Sequence, residues 1–303
     1  MKLGYFPGCS LHATAREFDE SLRAMAPRLD LELDEVEDWA CCGATSAHNT
    51  NHLLSVSLPA RTLAISEAQG HESLLAPCAA CYSRLAYARH ALEADPSLCD
   101  PVKDAIGREP PTTVQVISIV RLLADLAPRI REKVATALDG VQIACYYGCL
   151  LARPAELNDV GSVEAPTAME DVVKAVGATP VVWNQRLECC GGGFSLSRKA
   201  SVVRLSRSIV EDARAAGAAA LVVACPMCHL NLDFRQKAIA RRSGERADMP
   251  VFFLTQLVGL ALGMSATELG LGRHYVSTAD FVARLSGQEG AAESASEEIK
   301  EVG

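Results

Sequence analysis

At 303 residues the chain has room for two domains of ordinary size, and 49% hydrophobic with 22% charged residues is the composition of a globular protein, which argues against disorder or a polytopic membrane protein. The formal net charge is −8 and no Lys/Arg run occurs, so no nucleic acid is expected as a partner. Residues 287–303 hold five of the glutamates against the single Lys300 and read as an acidic, disordered tail.

In chain order, the N-terminal MKLGYFPGC has neither an apolar stretch nor a small-residue cleavage site, so no secretory signal is read and a cytoplasmic location is expected. Short apolar runs predict strands over residues 2–6, 31–36, 73–76 and 114–117, with a helix over 59–68 before Gly70. Residues 96–111, with their prolines and Gly107, read as a loop. A boundary falls near Asp139 and Gly140, and the pattern then starts again. Strands are predicted over 141–144, 178–183, 221–224 and 251–254, with a helix over 202–216 closed by Gly217. The uncharged run 251–264 has 14 residues, short of a membrane span, and corresponds to 114–126, so it reads as a buried strand and helix, with no transmembrane segment expected. Strand alternating with helix gives an α/β fold of two similar duplicated halves, each a small parallel-sheet unit. The halves are expected at 1–140 and 141–286, with cysteines at the C-terminal ends of strands, where open parallel sheets bind their ligands.

Twelve cysteines in a chain of this kind point to metal or redox chemistry rather than structural disulfides. Ten of them form a ladder that occurs twice. Cys9, Cys41-Cys42 and Cys78-x-x-Cys81 are answered by Cys149, Cys189-Cys190 and Cys225-x-x-Cys228, at offsets of 140, 148 and 147 residues. The surroundings repeat too: Tyr5-Phe6-Pro7-Gly8-Cys9 answers Tyr146-Tyr147-Gly148-Cys149, and Cys41-Cys42-Gly43 answers Cys189-Cys190-Gly191. Cys99 and Cys145 lie outside the ladder, and Cys145 reads as a buried thiol, a common fate of free cysteine.

A structural zinc ion needs four tetrahedral ligands, and each half offers five cysteines. Adjacent cysteines diverge from neighbouring backbone positions, which suits a larger object with several metals at its rim. Iron–sulfur clusters are such objects. A fifth thiolate suggests a bridging ligand or an opened cluster, while zinc in one half stays as the alternative. Gly43, Gly191 and Gly192 would let backbone N–H groups approach sulfur. His12, His48 and His229, each close in sequence to a candidate ligand, are the candidates for moving protons to leaving thiolates. His52, His71, His90 and His274 are set behind them.

The CCG motif between an upstream cysteine and a downstream CxxC, present twice, resembles the CCG-domain family of the heterodisulfide reductase B type, over about residues 1–285. The resemblance implies one non-cubane [4Fe-4S] cluster per half. Its ligands would be Cys9, Cys41, Cys42, Cys78 and Cys81 in the first half, and Cys149, Cys189, Cys190, Cys225 and Cys228 in the second. It implies a disulfide split between the two clusters, one sulfur going to each. It also implies two partners, a ferredoxin-like iron–sulfur subunit of the C type and a flavoprotein subunit of the A type. Leu150 follows Cys149 where a more polar residue is expected, which leaves room for another disulfide, small-molecule or protein. Two other functions are open: an electron relay without substrate, as in CCG subunits of succinate/fumarate-, lactate- or glycolate-type complexes, and a zinc-stabilised scaffold. No nucleotide-binding GxGxxG fingerprint occurs, so electrons must arrive from elsewhere.

Overall fold

The computed structural model describes residues 1–44, 47–244, 246 and 248–285. The expected acidic tail at 287–303 lies outside the described residues.

Two four-stranded parallel sheets make up the fold. The first contains β1 (Lys2–Tyr5), β2 (Glu32–Glu35), β3 (Ser73–Ala76) and β4 (Gln115–Ser118) in the order β2-β1-β3-β4. The second contains β5 (Gln142–Tyr146), β6 (Thr179–Pro180), β7 (Ala220–Val223) and β8 (Val251–Phe253) in the order β6-β5-β7-β8. The topology is the same twice, as the repeated sequence requires. Strand composition follows position in the sheet. The interior strand β7 is buried along its whole length, as a parallel strand covered on both faces must be. The edge strand β2 carries three acidic residues in four and is half exposed, which blunts the edge.

In both sheets the chain leaves the first strand toward one edge and then returns to the other side. The direction of winding therefore switches between β1 and β3, and between β5 and β7. Such switch points open a crevice at the strand C-termini. The next cysteines in sequence after these four strands are Cys9, Cys78, Cys149 and Cys225.

Three expectations need correction. Residues 96–111 are not a loop: a 3-10 turn Pro96–Leu98 leads into the helix Cys99–Ile106, closed by Gly107 at φ +69°. Its prolines sit in the first turns, where a missing N–H costs no hydrogen bond, and Val102 buries against Val56, Ala60, Ala88 and Leu92. The helix expected over 59–68 begins earlier, as His52–Ala68, capped by Asn51 accepting from the Leu54 N–H at 2.9 Å, and it runs through Pro59. The strand expected over 178–183 shrinks to Thr179–Pro180, because Pro180 has no N–H to give a ladder and belongs at an edge. Val181 still donates to the Ile143 carbonyl at 2.9 Å, after which Trp183 turns inward, its indole N–H on the Cys145 carbonyl at 3.2 Å.

The halves share one continuous buried core. Phe18, on the helix Arg16–Met25, stacks on Phe253 at the end of β8, with ring centroids 4.1 Å apart and both rings fully buried. One turn further on, Ser21 Oγ lies 2.7 Å from Thr255 Oγ1. Ala79 N–H donates to the Ala224 carbonyl at 3.1 Å, and Tyr82 Oη donates to the Leu157 carbonyl at 2.5 Å. Phe18→Ala should therefore destabilise the whole chain and not one half. A loss of about 3–5 kcal/mol in urea unfolding, with both halves melting in one transition, is expected; a loss below about 1 kcal/mol, or two separate transitions, would contradict it.

Candidate metal centres

The ladder cysteines gather into two nests, each built the same way. β1 ends at Tyr5, and the turn Phe6-Pro7 delivers Cys9 onto the short helix Gly8–His12. β3 ends at Ala76, Cys78 stands as the extended residue before the helix Ala79–Ala94, and Cys81 lies in that helix's first turn. The Cys41-Cys42 pair comes from the irregular segment after β2. The second nest repeats this with Cys149 on Gly148–Ala152, Cys225 before the helix Pro226–Phe234, Cys228 in its first turn, and Cys189-Cys190 after β6.

The sulfur geometry matches as well. Cys42 Sγ lies 3.4 Å from Cys81 Sγ, and Cys190 Sγ lies 3.4 Å from Cys228 Sγ. Cys149 Sγ and Cys189 Sγ are 3.8 Å apart. In each adjacent pair the two residues diverge as local geometry demands: Cys42 and Cys190 are buried, whereas Cys41 and Cys189 are exposed. Backbone closeness is visible at Gly8, where φ is +67° and a Cβ would lie 2.9 Å from Cys81 Sγ; at Gly148, with φ +65°, it would lie 3.4 Å from Cys228 Sγ. The nests are tied together next to their ligands, where the Ala79 N–H, one residue past Cys78, donates to the carbonyl of Ala224, one residue before Cys225, at 3.1 Å.

So many thiols at close range cannot all ionise unaided. The Cys42 thiolate is held down to about 3 by hydrogen bonds from Cys41 and Cys81, and the same bond pushes Cys41 up. Cys189 is lowered to about 6, chiefly by the Cys149 thiol, with further help from the Gly191 and Gly192 N–H groups. Cys225 is held low by Cys228 and Cys78, which are themselves pushed up. The sulfurs' partners are one another, backbone N–H groups, including Gly191 N at 3.3 Å from Cys189 Sγ, and the amide of Asn231, 3.6 Å from Cys190 Sγ. A cluster of metal ions supplies the positive charge that would let all five ionise together. The donor set fits iron–sulfur chemistry by its all-sulfur character, and its inward and outward cysteine pairs would suit a group larger than a single ion.

The three candidate histidines differ in placement. His12 is exposed, its Nε2 3.4 Å from Glu35 Oε1 and its ring edge-on to Trp39. His48 is exposed on the short helix Ala47–Thr50. His229 is buried, stacked on Phe253, with Nε2–H donated to the Val251 carbonyl at 3.0 Å, and burial pushes its pKa far down, so the ring is neutral.

Sequence reasoning missed a cleft of about 290 Å³ where the halves meet. Ala13 to Glu17, just past the Cys9 helix, form one wall; Pro226 and Met227, the residues between Cys225 and Cys228, belong to the other. Asp233 reaches into the cleft with both carboxylate oxygens held by the Tyr275 and Val276 N–H groups, and burial raises it to about 6. One ligand-type atom each of His229, Asp233 and His274 lie within 4.8 Å of one another. This trio does not suit an ion. Gln256 Oε1 is taken by the Phe253 N–H, so its amide nitrogen donates to His274 Nε2, and the proton of neutral His274 then sits on Nδ1. Asn231, Asp233 and His274 carried no spacing signal; only polar residues within an otherwise apolar helix hinted at the first two.

The cysteine-rich domain known as CCG matches residues 3–86 and 143–233, and both matched segments hold a complete nest. The chain belongs to the CCG family. Among relatives of this CCG protein, the 8-methylmenaquinol:fumarate reductase membrane anchor subunit of Wolinella succinogenes is 33% identical over 91% of this chain and 97% of its own length. The B subunit of the ferredoxin/F420H2-dependent CoB-CoM heterodisulfide reductase of Methanosarcina acetivorans is 30% identical over 94% and 97%. Among solved structures, a hypothetical protein from Helicobacter pylori superposes with a TM-score of 0.71 at 13% identity, covering 91% of this chain and 52% of that one, which speaks to the fold. No described helix is long and apolar enough to cross a membrane.

The close approach at Gly8 gives the CCG nests a direct test. Gly8→Ala should lower the iron held per chain by roughly half, through strained φ and a displaced Cys81. Gly193→Ala, whose added Cβ would meet nothing within 4 Å, should leave iron content and visible absorbance unchanged. Equal iron in both variants would contradict the proposed crowding.

Proposed function

We propose that this chain is the iron–sulfur subunit of an oxidoreductase complex that reduces a disulfide, or in reverse oxidises two thiols. The two centres would be [4Fe-4S] clusters of non-cubane type. Cys9, Cys41, Cys42, Cys78 and Cys81 would hold one, and Cys149, Cys189, Cys190, Cys225 and Cys228 the other. The observation that carries this reading is the pair of five-thiol nests joined through the Ala79–Ala224 backbone bond, beside a cleft walled by both halves.

When bound, such clusters supply electrons singly and iron with affinity for sulfur. Disulfide reduction takes two electrons, so two neighbouring one-electron centres match its stoichiometry. The chain's own residues set the conditions. Gly43, Gly191 and Gly192 direct N–H groups at sulfur, stabilising thiolate character. Asn231 fixes Cys190. The buried, neutral His229 is tied to a backbone carbonyl and shapes the wall of the cleft, whereas the other two proton-transfer candidates, His12 and His48, are exposed to solvent on the first half. By resemblance, electrons come through a ferredoxin-like subunit and a flavoprotein subunit.

A second reading, an electron relay without a sulfur substrate, is favoured by the relative named as a fumarate reductase subunit. Cluster spectroscopy separates the two. Oxidised, iron-loaded protein titrated with a small alkyl thiol, and separately with a reduced protein dithiol, should show an EPR signal whose g-values shift on binding and whose lines broaden with a ³³S-labelled thiol. A spectrum unmoved by either thiol at saturating concentration would sink the disulfide reading and leave the relay.

A further inference from the structure

The duplicated nests differ at their rims. In the second half, the segment after the CCG motif is exposed from Gly193 to Ala200 except for Ser195. It presents Phe194, 49% exposed, and Leu196, fully exposed, followed by Arg198 and Lys199. Arg204 is exposed further along the helix Lys199–Ala215, and Leu150, beside Cys149, adds a third apolar side chain at 39% exposure. At the repeat offsets the first half has Ser10, Ser46, His48, Thr50 and Asn51, which offer neither bulk nor a basic cluster. The second copy thus presents large apolar groups beside its exposed candidate ligand Cys189 where the first copy's sequence has small or polar residues.

The segment is also fastened to the metal site. Ser195 Oγ donates to Asn231 Oδ1 at 2.9 Å, Arg235 donates to the Ser195 carbonyl at 2.8 Å, and Asn231 reaches Cys190 Sγ at 3.6 Å. Phe194 and Leu196 are therefore presented on a braced turn instead of a loose one. Apolar side chains held in water next to a redox centre carry a standing cost that a partner relieves. The three cations have no carboxylate partner among the described residues, in a chain whose net charge is negative, and the start of a 17-residue helix adds to the positive potential.

We infer that the Gly193–Lys199 turn, with Leu150 and Arg204, is the docking surface for an acidic one-electron carrier protein, which exchanges electrons with the second nest. The inference rests on the iron–sulfur reading above and assigns the two nests different roles: the second faces the electron carrier, and the polar rim of the first is left to water and protons. One electron passes per encounter, the carrier being oxidised as the cluster is reduced, and no bond is made or broken.

The test uses iron-loaded full-length protein and a reduced acidic [4Fe-4S] ferredoxin as probe, with reduced methyl viologen as a small reductant that needs no docking surface. Stopped-flow bleaching of the clusters by ferredoxin should slow by about tenfold in a variant with Arg198→Glu, Lys199→Glu and Arg204→Glu. Its dependence on salt between about 20 and about 300 mM should flatten. Phe194→Ser with Leu196→Ser should slow the reaction several-fold with the salt dependence kept. Both variants should retain their iron and their viologen rates. Three equal charge reversals placed elsewhere, at Lys103, Arg108 and Arg131, should slow ferredoxin far less. The proposal is overturned if the rim variants match this control, if viologen slows as much as ferredoxin does, or if ferredoxin does not reduce the unsubstituted protein while viologen does. Failure of the iron–sulfur reading itself would look different: no iron, and no bleaching by either reductant.

Discussion

The interaction on which the rest of the molecule depends is repulsion among closely packed, partly buried thiols. Six of the ten ladder cysteines are buried, and sulfurs stand as close as 3.4 Å. Without added positive charge the sulfurs share protons in alternation, so that Cys42, Cys189 and Cys225 are held low while Cys41, Cys149 and Cys78 are driven up. The protein surrounds this arrangement with N–H groups and an asparagine amide, each suited to a sulfur that carries negative charge. Nothing about stability alone calls for such a cluster; five apolar side chains would fill each nest at far lower cost.

The fold brings these residues together by topology. Each sheet reverses its winding between the first and third strands of its half, and the crevice so created receives one cysteine after the first strand and the two CxxC cysteines after the third. The pair from the edge-strand loop closes the ring. Duplication then sets two such crevices against each other, joined by the Phe18–Phe253 stack and by the backbone bond between Ala79 and Ala224, the residues next to Cys78 and Cys225. The proposed reaction, which needs two electrons and releases two sulfurs, would find two thiol nests of matching build and a cleft between the halves.

Much of this was legible in the sequence because it is local or repeated. The ladder offsets gave the duplication, and the strand signals fell within a few residues of β1 to β8. Cys145 is buried within β5, next to its last residue, as its place outside the ladder suggested. The misreadings have physical causes. Prolines at 96 and 101 occupy first-turn positions that a helix tolerates, so they mark starts and not a loop. Pro59 hid the first two turns of a helix that tertiary packing sustains. The cleft depends on how the halves dock, while the contacts of Asn231 and Asp233 and the pairing of His229 with His274 join segments far apart within the second half, and no periodicity or spacing encodes either. The rim asymmetry was present in the letters, in Phe194 and Leu196 against Ser46 and His48 at the repeat offset, but it acquires meaning only once Phe194 and Leu196 are seen to be exposed beside Cys189.

Metal and acid-labile sulfide analysis of anaerobically purified protein tests the central claim most directly. The expected outcome is brown protein with about four irons and about four sulfides per nest, lost from one nest when Cys42→Ser or Cys190→Ser is introduced. Colourless protein with about one zinc per nest and no sulfide would contradict the claim, and would make the two nests structural staples of a scaffold.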